Sequence, residues 1–321
     1  MSRPPCDDPA RLAAFLAPLG LAEAARQPLT GDASSRRYQR IRPAAGPPLI
    51  LMQAPDPARE LVPFVTVAGR LKVVGLSVPE IVAAAPEAGL LLTEDFGSET
   101  FTVALDSGAD PAPLYRLATE LLIALHKSAV DTAGLPVFDA AAFLAQVMLL
   151  PEIVFPGDQG IHSDFETVWR AVLPAGLAGP SSLLLRDYHA GNLMHLPQRP
   201  GVRACGLLDF QDAGAGPAAY DLISLIEEAR RDLPAGLAES LIEHYLAAFP
   251  GLDRSAFRTA AAVLAAVRHT RVIAVFLRLA RNGKPGYLQH LPRVWRYLDR
   301  HLARPELAPL AGWFARHLPS D

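Results

Sequence analysis

The sequence predicts an α+β fold, with a strand-rich first third followed by a long, mostly helical remainder. Three observations carry this reading. Short apolar runs bounded by turn residues recur between residues 36 and 93, with one amphipathic helix among them. From Pro111 onward, apolar residues recur at helical spacing. Strand signals return only briefly, at 182–185, 193–195 and 205–208, and the chain after Pro217 reads as helix through to His317.

The elements follow in order. Asp8-Pro9 opens a first helix, because the aspartate accepts free backbone N–H groups and proline fits the first turn. Leu12, Phe15, Leu16 and Leu19 follow at helical spacing, and Gly20 ends it. Residues 30–35 form a turn cluster, 36–42 a strand, and 49–52 a second strand between Pro48 and Pro55. Residues 57–74 read as a helix with Leu61, Phe64, Val65, Ala68 and Leu71 on one face and Gly75 past its end. Strands are expected at 80–84 and 90–93, with a hinge at 94–98. Leu114, Leu117, Leu121 and Leu125 mark a long helix, and 138–153 and 164–173 two more.

The chain has 321 residues, which favours two domains or lobes. Half of them are hydrophobic and a fifth charged, a globular composition rather than a disordered one. Lys plus Arg (30) nearly balances Asp plus Glu (33), so nothing calls for a nucleic-acid partner, whereas a compact anion needs only local donors. Cys6 and Cys205 are too few for a disulfide framework and form no CxxC pattern, so free thiols are expected. The most apolar helical stretch, 260–280, is interrupted by Arg268, His269, Arg271 and Arg278. The expectation is a cytoplasmic protein with no membrane attachment and no obligate protein partner.

The chemistry concentrates in two segments, 184–194 and 206–212. In the first, Asp187 and Asn192 are separated by four residues; in the second, Asp209 ends an apolar strand and is followed by Phe210. This is the D-x-x-x-x-N and D-F-x arrangement of kinase-type phosphoryl transfer. A transferring phosphoryl group needs an oriented hydroxyl, and Asp187 is the catalytic carboxylate that would accept its hydrogen. Mg²⁺ bridging the phosphates prefers hard oxygen ligands, which Asn192 and Asp209 supply.

With these residues in place, the chain resembles the aminoglycoside phosphotransferase and choline kinase superfamily. The stretch 216–225, with Tyr220-Asp221, resembles the superfamily's segment after the metal-binding Asp, which implies a bracing role for Asp221. The resemblance implies a protein-kinase-like bilobal fold: a small, sheet-containing, nucleotide-binding N-lobe over 1–95, and a helical C-lobe over 96–321 with the catalytic loop and substrate site. It also implies ATP as co-substrate. A closer likeness is to the bacterial anomeric sugar kinases acting on N-acetylmuramate and N-acetylglucosamine in cell-wall recycling. That likeness rests on Arg186-Asp187-Tyr188-His189, Asp209-Phe210-Gln211-Asp212, residues 268–276, Tyr287-Leu288 and residues 31–38. It implies transfer to the sugar's 1-hydroxyl. An aminoglycoside, choline or homoserine acceptor is the alternative within the superfamily, and a nucleotide-binding pseudokinase the alternative outside catalysis.

The turn over the phosphates is placed at Gly31, Ser34, Ser35 and Arg36, where small residues and hydroxyls let N–H and O–H groups approach phosphate oxygens. Met52 and Glu94 complete the expected nucleotide site. Two departures stand out. The kinase lysine of the third strand is missing, and Met52 lies near its place; Leu185 stands where kinases commonly carry His. For the acceptor, His189, Asp212, Arg268 and Arg271 are the candidates. Arg268 and Arg271, three apart on a helix, share a face and suit a carboxylate such as the lactyl group of N-acetylmuramate.

Overall fold

The computed structural model describes residues 5–29 and 35–318. Among them the elements run α1 Pro9–Leu16, β1 Ala25–Leu29, β2 Arg37–Arg42, β3 Leu49–Gln53, α2 Pro57–Val73, β4 Ile81–Ala85, β5 Leu90–Glu94 and α3 Phe101–Asp106. Helices α4 Pro111–Lys127, α5 Ala140–Val147, α6 Leu149–Val154 and α7 Gln159–Gly176 come next. Strands β6 Ser181–Leu184, β7 Leu193–His195, β8 Cys205–Leu207 and β9 Gly214–Pro217 follow. The chain closes with α8 Ala219–Ile226, α9 Leu237–Ala247, α10 Arg254–Arg281, α11 Leu291–Leu302 and α12 Ala308–His317. Backbone contacts group the chain up to Ala109 with Gly191–Asp212, and Asp110–Ala190 with the residues from Ala213 onward. The expected division at 95/96 is a single linear cut, whereas this grouping returns a later segment to the first unit.

The first unit is built on a five-stranded antiparallel sheet in the order β1-β2-β3-β5-β4. Ile41, Leu51, Leu90 and Leu92 pack with Cys6, Leu16 and Leu21 in one core cluster. Helix α2 buries Leu61, Phe64, Val67, Ala68 and Leu71 and is capped by Asp56, whose carboxylate accepts the Arg59 N–H at 3.3 Å. Between β4 and β5 the chain turns at Gly89, φ 67°, where a Cβ would meet the Ala54 carbonyl at 2.4 Å; only glycine fits. The sequence expectation set no range for strand β1. It is an edge strand, largely exposed and carrying Pro28, so it has neither the alternation nor the apolar run that marks a strand. Strands β7 and β8 form a separate two-stranded hairpin, Leu193 opposite Leu207.

The second unit is organised around α10. This helix is buried along most of its length, including Arg268, His269 and Thr270. It is long and apolar enough to cross a membrane by length and composition, but its most apolar window is 83% buried within the protein, as in a core helix. Helix α7 crosses it closely: a Cβ at Gly176 would meet Val263 Cγ1 at 2.7 Å. The helix expected over 138–153 is two, α5 and α6, interrupted at Met148. Pro151 explains the break, because it has no N–H for the carbonyl four residues back. The all-helical reading after Pro217 also fails at 227–236, where Pro234 and Gly236 separate α8 from α9. Strand β9, Gly-Ala-Gly-Pro, carries no strand signature either. It pairs with β6, and at Gly214 a Cβ would meet the Pro136 carbonyl at 2.3 Å, so close approach rather than side-chain pattern sets it.

Candidate active site

In the second unit, β6 delivers the chain into a tight turn, with the Asp187 N–H bonded to the Leu185 carbonyl at 2.9 Å. Arg186 takes φ 71°, a left-handed backbone uncommon for a non-glycine residue. That conformation is gripped from several sides. Asp221, buried at the start of α8, accepts the Leu185 N–H at 2.6 Å and the Arg186 N–H at 2.9 Å. Ser224 Oγ donates to the Arg186 carbonyl at 3.3 Å, and the Arg186 guanidinium lies 4.9 Å from the centre of the Phe138 ring. One residue past Asp187, the buried Tyr188 donates its hydroxyl to the Ala118 carbonyl at 2.8 Å. Asp187 thus stands on a backbone fixed on both sides, as a positioned catalytic carboxylate requires. Asp221 has the bracing geometry that the resemblance implied. Burial pushes its own carboxyl up to about 7, against the two N–H bonds that favour the charged form.

Asp187 lines a cavity of about 150 Å³ with His189, Glu228, Arg230, Arg268, Arg271 and the apolar side chains of α10. The Arg271 guanidinium lies 3.7 Å from its carboxylate. Burial alone would raise the Asp187 pKa, but the charges of Arg271, Arg186, Arg268 and His189 outweigh it and hold the carboxyl below its usual value. Glu228 is buried, receives the Tyr115 hydroxyl at 3.0 Å, and has His189 Nδ1 at 3.8 Å. Burial pushes its pKa up.

In the first unit, Asn192 and Asp209 come to one end of the β7–β8 hairpin, where the Leu208 N–H bonds to the Asn192 carbonyl at 3.0 Å. Asp209 is the other non-glycine residue with positive φ among those described, 57°. Its Oδ1 accepts Arg36 Nη2 at 2.5 Å and Gln211 Nε2 at 3.1 Å. Phe210, directly after it, packs on Phe64 of α2 with ring centres 4.7 Å apart. A partly exposed carboxylate and an amide oxygen at one hairpin end are hard-oxygen donors, so these residues fit Mg²⁺.

Other sequence candidates take varied places. Gly31 and Ser34 lie outside the described residues. Ser35 donates to Glu60 Oε1 at 2.5 Å. Met52 is buried in β3 between Tyr38 and Leu91, so it forms sheet core and presents no charge. The Glu94 carboxylate is taken by Arg199 and by the Glu80 N–H, at 3.3 Å in the latter case. Its neighbour in the expected hinge, Asp95, is held by Arg40, whose guanidinium also reaches the Gly97 carbonyl at 3.0 Å. His189, Arg268 and Arg271 come together at the Asp187 cavity; Asp212 is exposed and is not among the residues lining it. Glu228 and Arg230 are the cavity residues that sequence reasoning missed as a site. They sit in the 227–236 break, and a helical reading gave no reason to aim them anywhere. The structure also gathers Glu227, His269 and His301 from three elements. Glu227 accepts His269 Nε2 at 2.6 Å and His301 Nε2 at 2.9 Å, and Arg300 pairs with it as well. Glu227 is buried and the Arg300 side chain is exposed, so the group is a charge network that runs from the interior to the surface.

The profile of the phosphotransferase enzyme family matches residues 25–258. The chain belongs to that family. Among solved structures, this family member is similar to a choline/ethanolamine kinase family protein from Mesorhizobium loti, with 20% identity, a TM-score of 0.62, and coverage of 95% of this chain and 96% of that one. It is also similar to a choline kinase from Streptococcus pneumoniae at 15% identity, a TM-score of 0.64, and 91% and 98% coverage. Those likenesses establish the fold, the protein-kinase-like α+β fold of the aminoglycoside phosphotransferase and choline kinase group. Higher identity is found with N-acetylmuramate/N-acetylglucosamine kinases. The protein of that name from Caulobacter vibrioides is 34% identical, covering 96% of both chains. The one from Pseudomonas aeruginosa is 36% identical over 88% of this chain and 86% of its own.

Proposed function

We propose that this phosphotransferase is an ATP-dependent kinase that phosphorylates the 1-hydroxyl of N-acetylmuramate and N-acetylglucosamine, in the cytoplasm and in the service of cell-wall recycling. The observation that carries the reading is the Asp187 cavity. A carboxylate depressed by neighbouring cations, and therefore ionised at neutral pH, faces a small space shared with arginines and a buried glutamate. Arginines suit the lactyl carboxylate of N-acetylmuramate, while Glu228 suits hydroxyl and amide donors common to both sugars. The same arginines disfavour the cationic acceptors, choline and the aminoglycosides.

In the proposed reaction Asp187 accepts the proton of the 1-hydroxyl. The sugar oxygen forms a bond to the γ-phosphorus of ATP, the bond from that phosphorus to the bridging oxygen breaks, and ADP leaves. Mg²⁺ held by Asn192 and Asp209 would supply neutralisation of the phosphate charge. Asp221 acts through the backbone, keeping Asp187 in place. Ser35 and Arg36 attend the phosphates. An ADP-release screen tests the acceptor: turnover with the two amino sugars, and none with choline or an aminoglycoside, is expected. The reverse preference would overturn it.

A further inference from the structure

The missing lysine of β3 leaves the phosphate side of this site without its usual cation, yet a cation is present. Arg36 stands just ahead of β2, with its side chain only 9% exposed and Nη2 2.5 Å from Asp209 Oδ1. Its guanidinium lies 5.9 Å from the centre of the Tyr38 ring, and Tyr38 is paired in register with Met52, the residue near the place of the lysine. Glu60, in the first turn of α2, accepts Ser35 Oγ at 2.5 Å and the Asp56 N–H at 3.2 Å, and its charge acts on the same guanidinium more weakly than that of Asp209. Burial works against the guanidinium charge, but Tyr38, Asp209 and Glu60 outweigh it and raise the Arg36 pKa. In protein kinases two separate contacts must be made, lysine to helix glutamate and aspartate to metal. Here one arginine pairs with the aspartate and also feels the charge of the helix glutamate.

We propose that Arg36 is an exchangeable latch: it pairs with Asp209 until a divalent cation takes that carboxylate, and then moves to the nucleotide phosphates. The inference rests on Asp209 being a metal ligand, as in the proposed function. A guanidinium and a divalent cation cannot share Oδ1, so Arg36 opposes metal binding while no phosphate is there to receive it. Nucleotide phosphates offer the arginine a bidentate partner and remove that opposition. Arg36 thereby couples metal and nucleotide, and replacing it changes their affinities in opposite directions.

The test is Mn²⁺ binding followed by electron paramagnetic resonance, without nucleotide and with ADP, beside calorimetric ADP binding without metal. For Arg36→Gln the expected results are Mn²⁺ affinity without nucleotide up by about tenfold and ADP affinity down by about tenfold, the scale of one charge-assisted contact. Arg36→Lys, which keeps the charge on a weaker contact, should lie between Gln and wild type in both readouts and serves if Gln impairs folding. Unchanged or weaker metal-only affinity in both variants overturns the latch. Asp209→Asn separates the two claims. If it keeps wild-type Mn²⁺ affinity with ADP, the metal-ligand reading fails. If it loses Mn²⁺ while the Arg36 variants bind as wild type, the latch alone fails.

Discussion

Asp221 Oδ1 accepts the N–H of Arg186 at 2.9 Å, and Arg186 holds a left-handed backbone at φ 71°. The bond and the conformation belong together. A non-glycine residue in that region costs free energy, and the surrounding contacts must over-determine it. The second carboxylate oxygen takes the Leu185 N–H, so one buried aspartate fixes the two peptides that lead into Asp187.

Replacing Asp221 by Asn therefore acts at a distance. The amide turns an N–H₂ toward one of two backbone donors and leaves a buried bond unmade, costing about 1–3 kcal/mol of stability. Misplacement of Asp187 should lower kcat by on the order of 10²-fold. Steady-state kinetics and urea unfolding check both, with KM for ATP near wild type. A fall in stability with kcat intact would mean that the brace serves folding alone.

Arg271 bears on the pH profile. Its guanidinium, 3.7 Å from Asp187, favours the charged carboxylate and lowers its pKa. Removing it in Arg271→Gln leaves burial less opposed, so the pKa rises. The acid limb of kcat/KM with N-acetylglucosamine should move to higher pH.

Arg230 is exposed at the cavity and touches acceptor selectivity rather than the base. Arg230→Gln should lower kcat/KM for N-acetylmuramate by about tenfold, the scale of one charge-assisted contact, and leave N-acetylglucosamine nearly unchanged. Paired kinetics on the two sugars measure the difference.

The Glu227 network offers a stability test. Burial would raise the Glu227 pKa, but hydrogen bonds from His269 and His301 hold it far below the usual carboxylate range. The folded pKa thus lies below the unfolded value of about 4.3, so its contribution is present above that pH and lost as pH falls further. Glu227→Gln should cost about 3–5 kcal/mol at neutral pH, and its deficit relative to wild type should shrink on acidification. Thermal unfolding from neutral to acidic pH reads both.

The fold was legible where local pattern and tertiary role coincide. Helix α2 shows a capping aspartate, a periodic apolar face and a glycine stop, and β3 an apolar run between prolines. Legibility failed where geometry is set from outside the segment. Strand β1 is an exposed edge with a proline, β9 is held by the close approach of Pro136, and α5 and α6 part because Pro151 cannot donate. The site divides in the same way. Among the candidates, Asp187, Asn192 and Asp209 are marked by their spacing and apolar flanks, and Asp221 by the family resemblance of 216–225. Glu228 and Arg230 lie in a break that Pro234 and Gly236 mark, but no residue spacing aims them at Asp187. The reach of Arg36 to Asp209 spans 173 residues of sequence, and no local pattern encodes it.

The central claim is that Asp187 drives phosphoryl transfer to the 1-hydroxyl of an amino sugar. The most direct measurement is phosphorus and proton NMR of the product formed from N-acetylglucosamine and ATP by the wild-type protein and by Asp187→Asn. The expected result is a phosphate on the anomeric oxygen from the wild type and no product from the variant, which still binds ADP. Near-normal turnover by the variant, or a phosphate on any other oxygen, would contradict it.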